Sequence, residues 1–301
     1  MGEMHVVLGA RGAVGSAVDA ALQQRRMNVH AVGRGDADAR DPAALRSHIA
    51  GASHVYLCLG LPYAAAVWER DWPAVMASVL DACTEAGVRP VFLDNTYMYG
   101  PPPLAVTITE DHLQQPVTRK GLARKRTADL ALAAHREGRV RVVIGRAADF
   151  FGPGARNSPF YIRFLENILA GRPPQTLMPL GPRHTYAYTP DLACALVRLA
   201  LDEPAYGDVW HLPAGPAVTV EEMADLFRHE TGRDFRVSYL PPVMARLIGV
   251  FSPVVKEVNE MGYQFRSDYV LDWGRFAARF PEFETTPADE GVRAMVGSFR
   301  R

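Results

Sequence analysis

Cysteine is scarce in this chain, three in 301 residues, and Cys58, Cys83 and Cys194 all stand in apolar surroundings without metal-ligand spacing. An odd, sparse count argues against a disulfide framework, suits a reducing compartment and marks the three as buried thiols. Net charge is lacking too: Lys plus Arg and Asp plus Glu both number 33, so no field favours nucleic acid or an anionic membrane as partner. No uncharged apolar run reaches membrane-spanning length, and the first strand begins too close to Met1 for a signal peptide, so a cytoplasmic protein is expected. The histidines form no metal pattern. His5, His54 and His211 are separated in sequence and strand-embedded, and no metal is expected. Internal repeats and low-complexity segments are missing as well.

What is present is the composition of an ordinary globular protein, 48% hydrophobic and 22% charged, with length for one large domain or two modest ones. The apolar run Met4 to Leu8 reads as a strand and leads into Gly9-Ala10-Arg11-Gly12-Ala13-Val14-Gly15, after which Val14, Val18, Ala21 and Leu22 recur at helical spacing. A glycine turn between strand and helix lets the backbone approach a pyrophosphate and aims the helix N-terminus at its charge. Gly9, Gly12, Ala13, Val14 and Gly15 are therefore candidate dinucleotide contacts. The second strand, Val29 to Gly33, ends at Arg34. An acidic residue there would bond the ribose hydroxyls of NAD, whereas arginine pairs with a 2′-phosphate; Arg34, with Arg11 inside the turn, favours NADP(H) over NAD(H).

The stretch from Arg34 to Asp41-Pro42 is too short for a full crossover and strand, so the sheet should be clipped at that edge. A helix follows through Leu45 and Ile49, then a strand from His54 to Leu59 that ends at Gly60. Tyr63 to Ala86 carries a long helical pattern interrupted by Pro73, packed by Trp68 and Trp72 and closed by Gly87. Val91 to Leu93 and Val140 to Gly145 are further strands, on either side of a helix from Thr118 to His135. This alternation predicts an α/β fold, a Rossmann-type doubly wound parallel sheet with a smaller C-terminal substrate lobe. Ligands of such sheets bind beyond the carboxyl ends of the strands, where Leu59, Gly60 and the segment from Asp94 to Gly100 lie. After Gly152 the alternation gives way to proline, glycine and shorter helices at Pro159 to Leu169, Asp191 to Leu201 and Val220 to Thr231. Residues 1–152 are thus expected to bind NADP and 153–301 mainly to form the substrate lobe. Segments such as Asp208 to Leu212 should return to the main sheet.

Together these residues resemble the extended branch of the short-chain dehydrogenase/reductase superfamily, closest to its atypical members with a degraded active-site motif. Gly9, Gly12 and Gly15 are similar to its G-x-x-G-x-x-G turn, and Asp38-Ala39-Arg40-Asp41 to its adenine-contacting segment. Tyr99-Gly100 resembles its Tyr-Gly after the fourth main strand, and Arg146 to Pro153 its R-x-x-N-x-Y-G-P stretch. The resemblance implies a serine or threonine after that strand and a Tyr-x-x-x-Lys on the next helix. Here Asn95 stands at the serine, Lys125 with Asp129 at the lysine and its following glutamate, and Gly121 at the tyrosine. Glycine has no proton to give, so the usual mechanism does not transfer.

Three possibilities follow. Tyr97, which matches an acidic catalytic position of the branch's dehydratases, replaces the tyrosine, its pKa lowered by Lys125 and a bound nicotinamide. Alternatively Lys125 itself moves the proton, or no reaction occurs and the chain senses dinucleotides, as NmrA-like regulators do. The preferred expectation is an NADP(H)-dependent oxidoreductase acting on a carbonyl or activated double bond of a small or medium organic substrate. Lys125 would hold the ribose, Asn95 and Tyr97 face the reacting oxygen, and Tyr99, Asp149 and His184 contact substrate. A sugar-nucleotide epimerase, dehydratase or reductase is the remaining alternative. The resemblance also implies a homodimer built on the helices Tyr63 to Ala86 and Thr118 to His135.

Overall fold

Six parallel strands build the central sheet of the computed structural model, which describes residues 3–105 and 107–300. They are β1 (Met4–Leu8), β2 (Asn28–Val32), β3 (Ala52–Leu57), β4 (Arg89–Asp94), β5 (Val143–Arg146) and β6 (Val209–His211), in the spatial order β2-β1-β3-β4-β5-β6. Successive side chains of a strand point to opposite faces, so the apolar runs of the inner strands bury both. Val7, Tyr56, Val91 and Val143 face one layer, made by α1 (Ala13–Gln24) and, further along the chain, the helix Thr189–Leu201. Val6, Val55, Phe92 and Ile144 face the other, made by α2 (Pro42–Ile49), α3 (Ala65–Ala86) and α4 (Arg119–Arg136). The sheet is thus doubly wound, and β2 is its edge because the chain passes straight from it to α2. The strand order reverses between β1 and β3, which opens a crevice beyond their carboxyl ends.

Local chemistry explains most helix limits. Asp41 caps α2 by accepting from Ala43 N at 2.9 Å, and Thr118 caps α4 by accepting from Gly121 N at 3.1 Å. Gly87, at φ 67°, ends α3 in the left-handed conformation. Pro73 does not interrupt that helix as its sequence suggested: α3 runs through it, with the proline ring buried. The expected helix from Pro159 to Leu169 is broken instead, since Arg163 is left-handed at φ 56° and only Glu166–Leu169 is α-helical. No helix among the described residues is long and apolar enough to cross a membrane.

Beyond residue 152 the chain serves two bodies. Val209–His211 pairs with β5, and Thr189–Leu201 packs beside α1, whereas a separate aromatic core of Phe160, Phe164, Phe227 and Met295 holds the lobe together. Small two-stranded sheets join the parts, Asp149–Phe151 with Tyr186–Tyr188 and Thr107–Ile108 with Val270–Leu271.

One buried polar network ties β4, β5, β6 and α4. Asp94 accepts from Arg124 Nε at 2.8 Å and from Arg146 Nε at 3.1 Å; Arg146 Nη1 donates to Tyr99 Oη at 3.1 Å, and Tyr99 meets His211 Nε2 at 2.5 Å. Removing one member of a buried ion pair leaves the other uncompensated, at a cost of about 3–5 kcal/mol. Asp94→Asn keeps the shape but lacks the charge, and it is predicted to lower unfolding free energy by about that amount in urea titration.

Candidate active site

The crevice at the β1/β3 reversal is shaped by glycine. Gly9 has φ +87°, and a Cβ there would sit 2.7 Å from the Cys58 carbonyl oxygen; a Cβ at Gly15 would sit 2.1 Å from that of Gly9. At Gly12 the same Gly9 oxygen would lie 3.2 Å away. The chain therefore folds back onto the start of α1 only because these positions lack side chains. No side chain caps that start, where Gly12 is the N-cap, so the N–H groups of Ala13 and Val14 remain for an anion.

The loop after β2 closes one side. Arg11, its side chain 75% exposed, reaches Asp36 at 3.3 Å, and Asp36 also accepts from Gly33 N at 2.7 Å. Arg34 Nη2 donates to the Gly60 carbonyl at 2.9 Å, linking this loop to the end of β3. Arg11, Arg34 and Gly60 thus surround the crevice, with an acidic neighbour, Asp36, that the sequence reading passed over. Asp38 is engaged with Arg40 at 3.0 and 2.7 Å, which holds its carboxyl down at about 2. Ala39 and Leu59 are partly buried against the α2–α4 layer.

Beyond β4, Asn95 turns the chain by accepting from Tyr97 N at 3.1 Å. Tyr97 lies parallel to Trp68, ring centroids 5.8 Å apart, and its hydroxyl is 3.2 Å from that of Tyr63. Burial, and then the charges of neighbouring groups including Asp149, push the Tyr97 pKa well above the usual phenol value. This corrects the expected lowering by Lys125. Lys125 sits on the flank of α4 and, among the described residues, its ion pair is with Asp129 at 2.7 Å. It is not brought to Asn95 or Tyr97. The pair four residues apart that does point inward is Lys120 and Arg124, both buried. Lys120 Nζ lies 4.7 Å from the Tyr63 ring centroid and pairs with Glu257 and Glu260.

Gly121 has its own reason. A Cβ there would meet the Tyr97 carbonyl at 2.5 Å, so no tyrosine side chain fits that position. Lys120 and Arg124 lie in the basic run Arg119, Lys120, Arg124, Lys125 and Arg126, a composition that by itself points to a solvated face; their spacing of four beside Ala123, Ala128 and Ala131 is the sequence signal for an inward one.

Asp149 and His184 do meet, Oδ2 to Nε2 at 3.0 Å. His184 is buried between Phe265 and Tyr269, with centroids at 4.7 and 4.9 Å, which leaves Asp149 as the more open member. Tyr99, expected to contact substrate, is instead fully buried, its hydroxyl occupied by Arg146 and His211.

A doubly wound parallel sheet with a glycine cradle at its switch point defines a dinucleotide-binding α/β protein. Residues 5–211 match the NAD dependent epimerase/dehydratase family, more than half of the chain, and the protein belongs to that family. Among solved structures it is similar to the dTDP-glucose 4,6-dehydratase DesIV of Streptomyces venezuelae, at 17% identity and TM-score 0.79, over 99% of this chain and 97% of that one. A GDP-L-fucose synthetase from Naegleria fowleri bound to NADP aligns at 15% identity and TM-score 0.78, over 99% and 94%. UDP-glucuronic acid 4-epimerase from Bacillus cereus aligns at 16% and 0.77, over 99% of each chain. At such identities the likeness shows the fold. No curated protein sequence matches this chain significantly.

The cradle fits a dinucleotide pyrophosphate, since each Cβ its glycines lack would crowd the Gly9 or Cys58 carbonyl and close the turn. Gly15→Ala is predicted to abolish dinucleotide binding in a fluorescence titration and to lower the melting temperature. Wild-type affinity in that variant would show that the turn does not hold the cofactor.

Proposed function

We propose that this protein is an NADP(H)-dependent oxidoreductase that converts a carbonyl of a small or medium organic substrate to a hydroxyl. The observation that carries this reading is the Tyr97 phenol, placed after β4 and held in its protonated form. A phenol so placed is protonated at neutral pH and donates a hydrogen bond to a substrate oxygen; its raised pKa makes it a weaker acid, so it yields the proton only as the far more basic alkoxide forms. Epimerisation and dehydration of a sugar both require a hydroxyl proton to be taken, a task for which this group is badly suited, whereas reduction requires one to be given.

Gly9, Gly12 and Gly15 with the start of α1 hold the pyrophosphate, and Arg11 and Arg34 receive the 2′-phosphate. The nicotinamide, when bound, supplies the hydride. Tyr97 Oη gives its proton to the substrate oxygen that the hydride leaves negatively charged, and Tyr63, 39% exposed and hydrogen-bonded to Tyr97, restores it from solvent. Asn95 shapes the turn that presents Tyr97, and Asp149 lies where a substrate hydroxyl can donate to it.

Family membership, and the naming of the similar structures for nucleotide-sugar enzymes, favours a second reading in which the substrate is a sugar nucleotide. A panel of ketones, aldehydes, enones and nucleotide-linked keto sugars, followed by oxidation of NADPH, separates the two. Binding of NADPH without turnover of any of them would replace both with a dinucleotide sensor.

Tyr97→Phe is predicted to lower kcat by about a hundredfold, in the usual range for lost acid catalysis, with NADPH affinity unchanged. Reduction by the wild type should not decline through ionisation of Tyr97 as pH rises to 10, because the phenol stays protonated there. For the cofactor, NADPH should bind several-fold more tightly than NADH. Asp36→Asn should widen that preference by releasing Arg11, and Arg34→Ala should narrow it; equal affinities in the wild type would sink the roles given to both arginines.

A further inference from the structure

The opposite edge of the sheet, at the amino ends of the strands, holds a cluster that the dinucleotide site does not use. The sequence separates His5 from His54, but β1 and β3 are neighbours in register and make these two residues direct cross-strand partners. Their rings stack with centroids 5.0 Å apart and planes within 6°. Glu3 stands two residues before His5, hence on the same side of the strand, and is exposed. One ligand atom from each of Glu3, His5 and His54 lies within 4.8 Å of the others.

Ser53 Oγ donates to the Met4 carbonyl at 3.0 Å and lies 2.9 Å from His54 Nδ1. In the tautomer that keeps this bond, Nδ1–H donates to Oγ and Nε2 of the neutral ring carries the lone pair. That atom is buried, in a residue only 2% exposed, and has no hydrogen-bond partner. The Ala200 carbonyl beside the ring takes a proton from it in the other tautomer, a bond that a metal ion at Nε2 would replace. His5 is oriented similarly, with Nδ1 3.3 Å from the buried Tyr56 hydroxyl. Two imidazoles held through Nδ1, with Nε2 left over and a carboxylate beside them, have the donor chemistry and the outer support of a zinc ligand set. The neighbouring cation, Arg89, is compensated by Glu203.

We propose that Glu3, His5 and His54 bind Zn²⁺, with water at a fourth position, in a site that links the start of β1 to β3. To reach ordinary Zn–N distances the ligand atoms would draw together by up to about 1.5 Å, with the exposed Glu3 side chain moving in and the two stacked rings turning out of parallel so that both lone pairs meet the ion.

The test uses the full chain, stripped with EDTA and titrated calorimetrically with Zn²⁺, alongside the visible spectrum of the Co²⁺-loaded protein. One equivalent of Zn²⁺ bound at micromolar affinity or tighter is expected, with a rise in melting temperature and a four-coordinate Co²⁺ spectrum. His54→Ala should eliminate this binding, and Glu3→Gln, at an exposed position that folding does not need, should weaken it at least about tenfold. His30 and His48, 3.0 Å apart, form the other close histidine pair, so His48→Ala serves as the control and should bind as the wild type does. Absence of binding in the wild type would overturn the proposal, as would full affinity in Glu3→Gln or loss confined to His48→Ala. Should His54→Ala fail to fold, Glu3→Gln and the Co²⁺ spectrum decide the matter alone.

Discussion

A single carboxylate held between two guanidinium groups organises this molecule. Asp94, fully inside at the end of β4, binds Arg124 of α4 with one oxygen and Arg146 of β5 with the other. Charges so enclosed are tolerated only when each has its partners, so the three residues fix one another's positions sharply. Through Tyr99 and His211 the same network reaches β6, a strand contributed by the chain long after it has entered the C-terminal lobe. The turn that presents Tyr97 begins at the very next residue, and its aim therefore depends on that buried charge.

The network also accounts for how the site departs from its family's usual motif. Arg124 occupies an inward position of α4 but is committed to Asp94 and to the faces of Trp72 and Phe92, with its carbon 4.2 and 4.9 Å from the ring centroids. Lys120, one turn earlier, is committed to two carboxylates of the lobe. Those carboxylates also cap helices: Glu257 accepts from Ala65 N at 2.9 Å and Glu260 from Arg119 N at 2.7 Å, at the starts of α3 and α4. Negative charge at helix N-termini is favourable, so the contact that fastens the lobe over the sheet also stabilises two helices beneath it. Both cations are thus engaged in architecture, and beside them lies the hydrogen-bonded Tyr97–Tyr63 pair.

How far the sequence could be read follows from the range of each interaction. The glycine turn, the strand after it, the clipped edge at β2, the Gly87 cap and the return of Val209–His211 were all legible, because they rest on local dihedrals, hydrophobic period and chain length. Pro73 and the segment around Arg163 misled, since burial overrode one breaker and a left-handed residue broke a helix that the pattern favoured. At the candidate site, Asn95 and Tyr97 are marked in the sequence by their place after a strand, and Asp149 by the family resemblance alone. Lys125 is placed by the family resemblance, with Asp129 four residues on, and a shift of one residue on a helix is a rotation of about 100°, enough to carry a side chain from the interior to the flank.

By itself, then, the sequence determined the doubly wound sheet, the dinucleotide cradle and the want of a tyrosine on α4, since each is written in neighbouring residues. Only the tertiary structure decided which basic residues of α4 face inward, that Asp36 faces Arg11, that Tyr97 is driven towards its protonated form, and that His5 lies beside His54. Burial and cross-strand pairing bring together groups far apart in the chain, and it is their proximity, absent from any local pattern, that sets charge and chemistry.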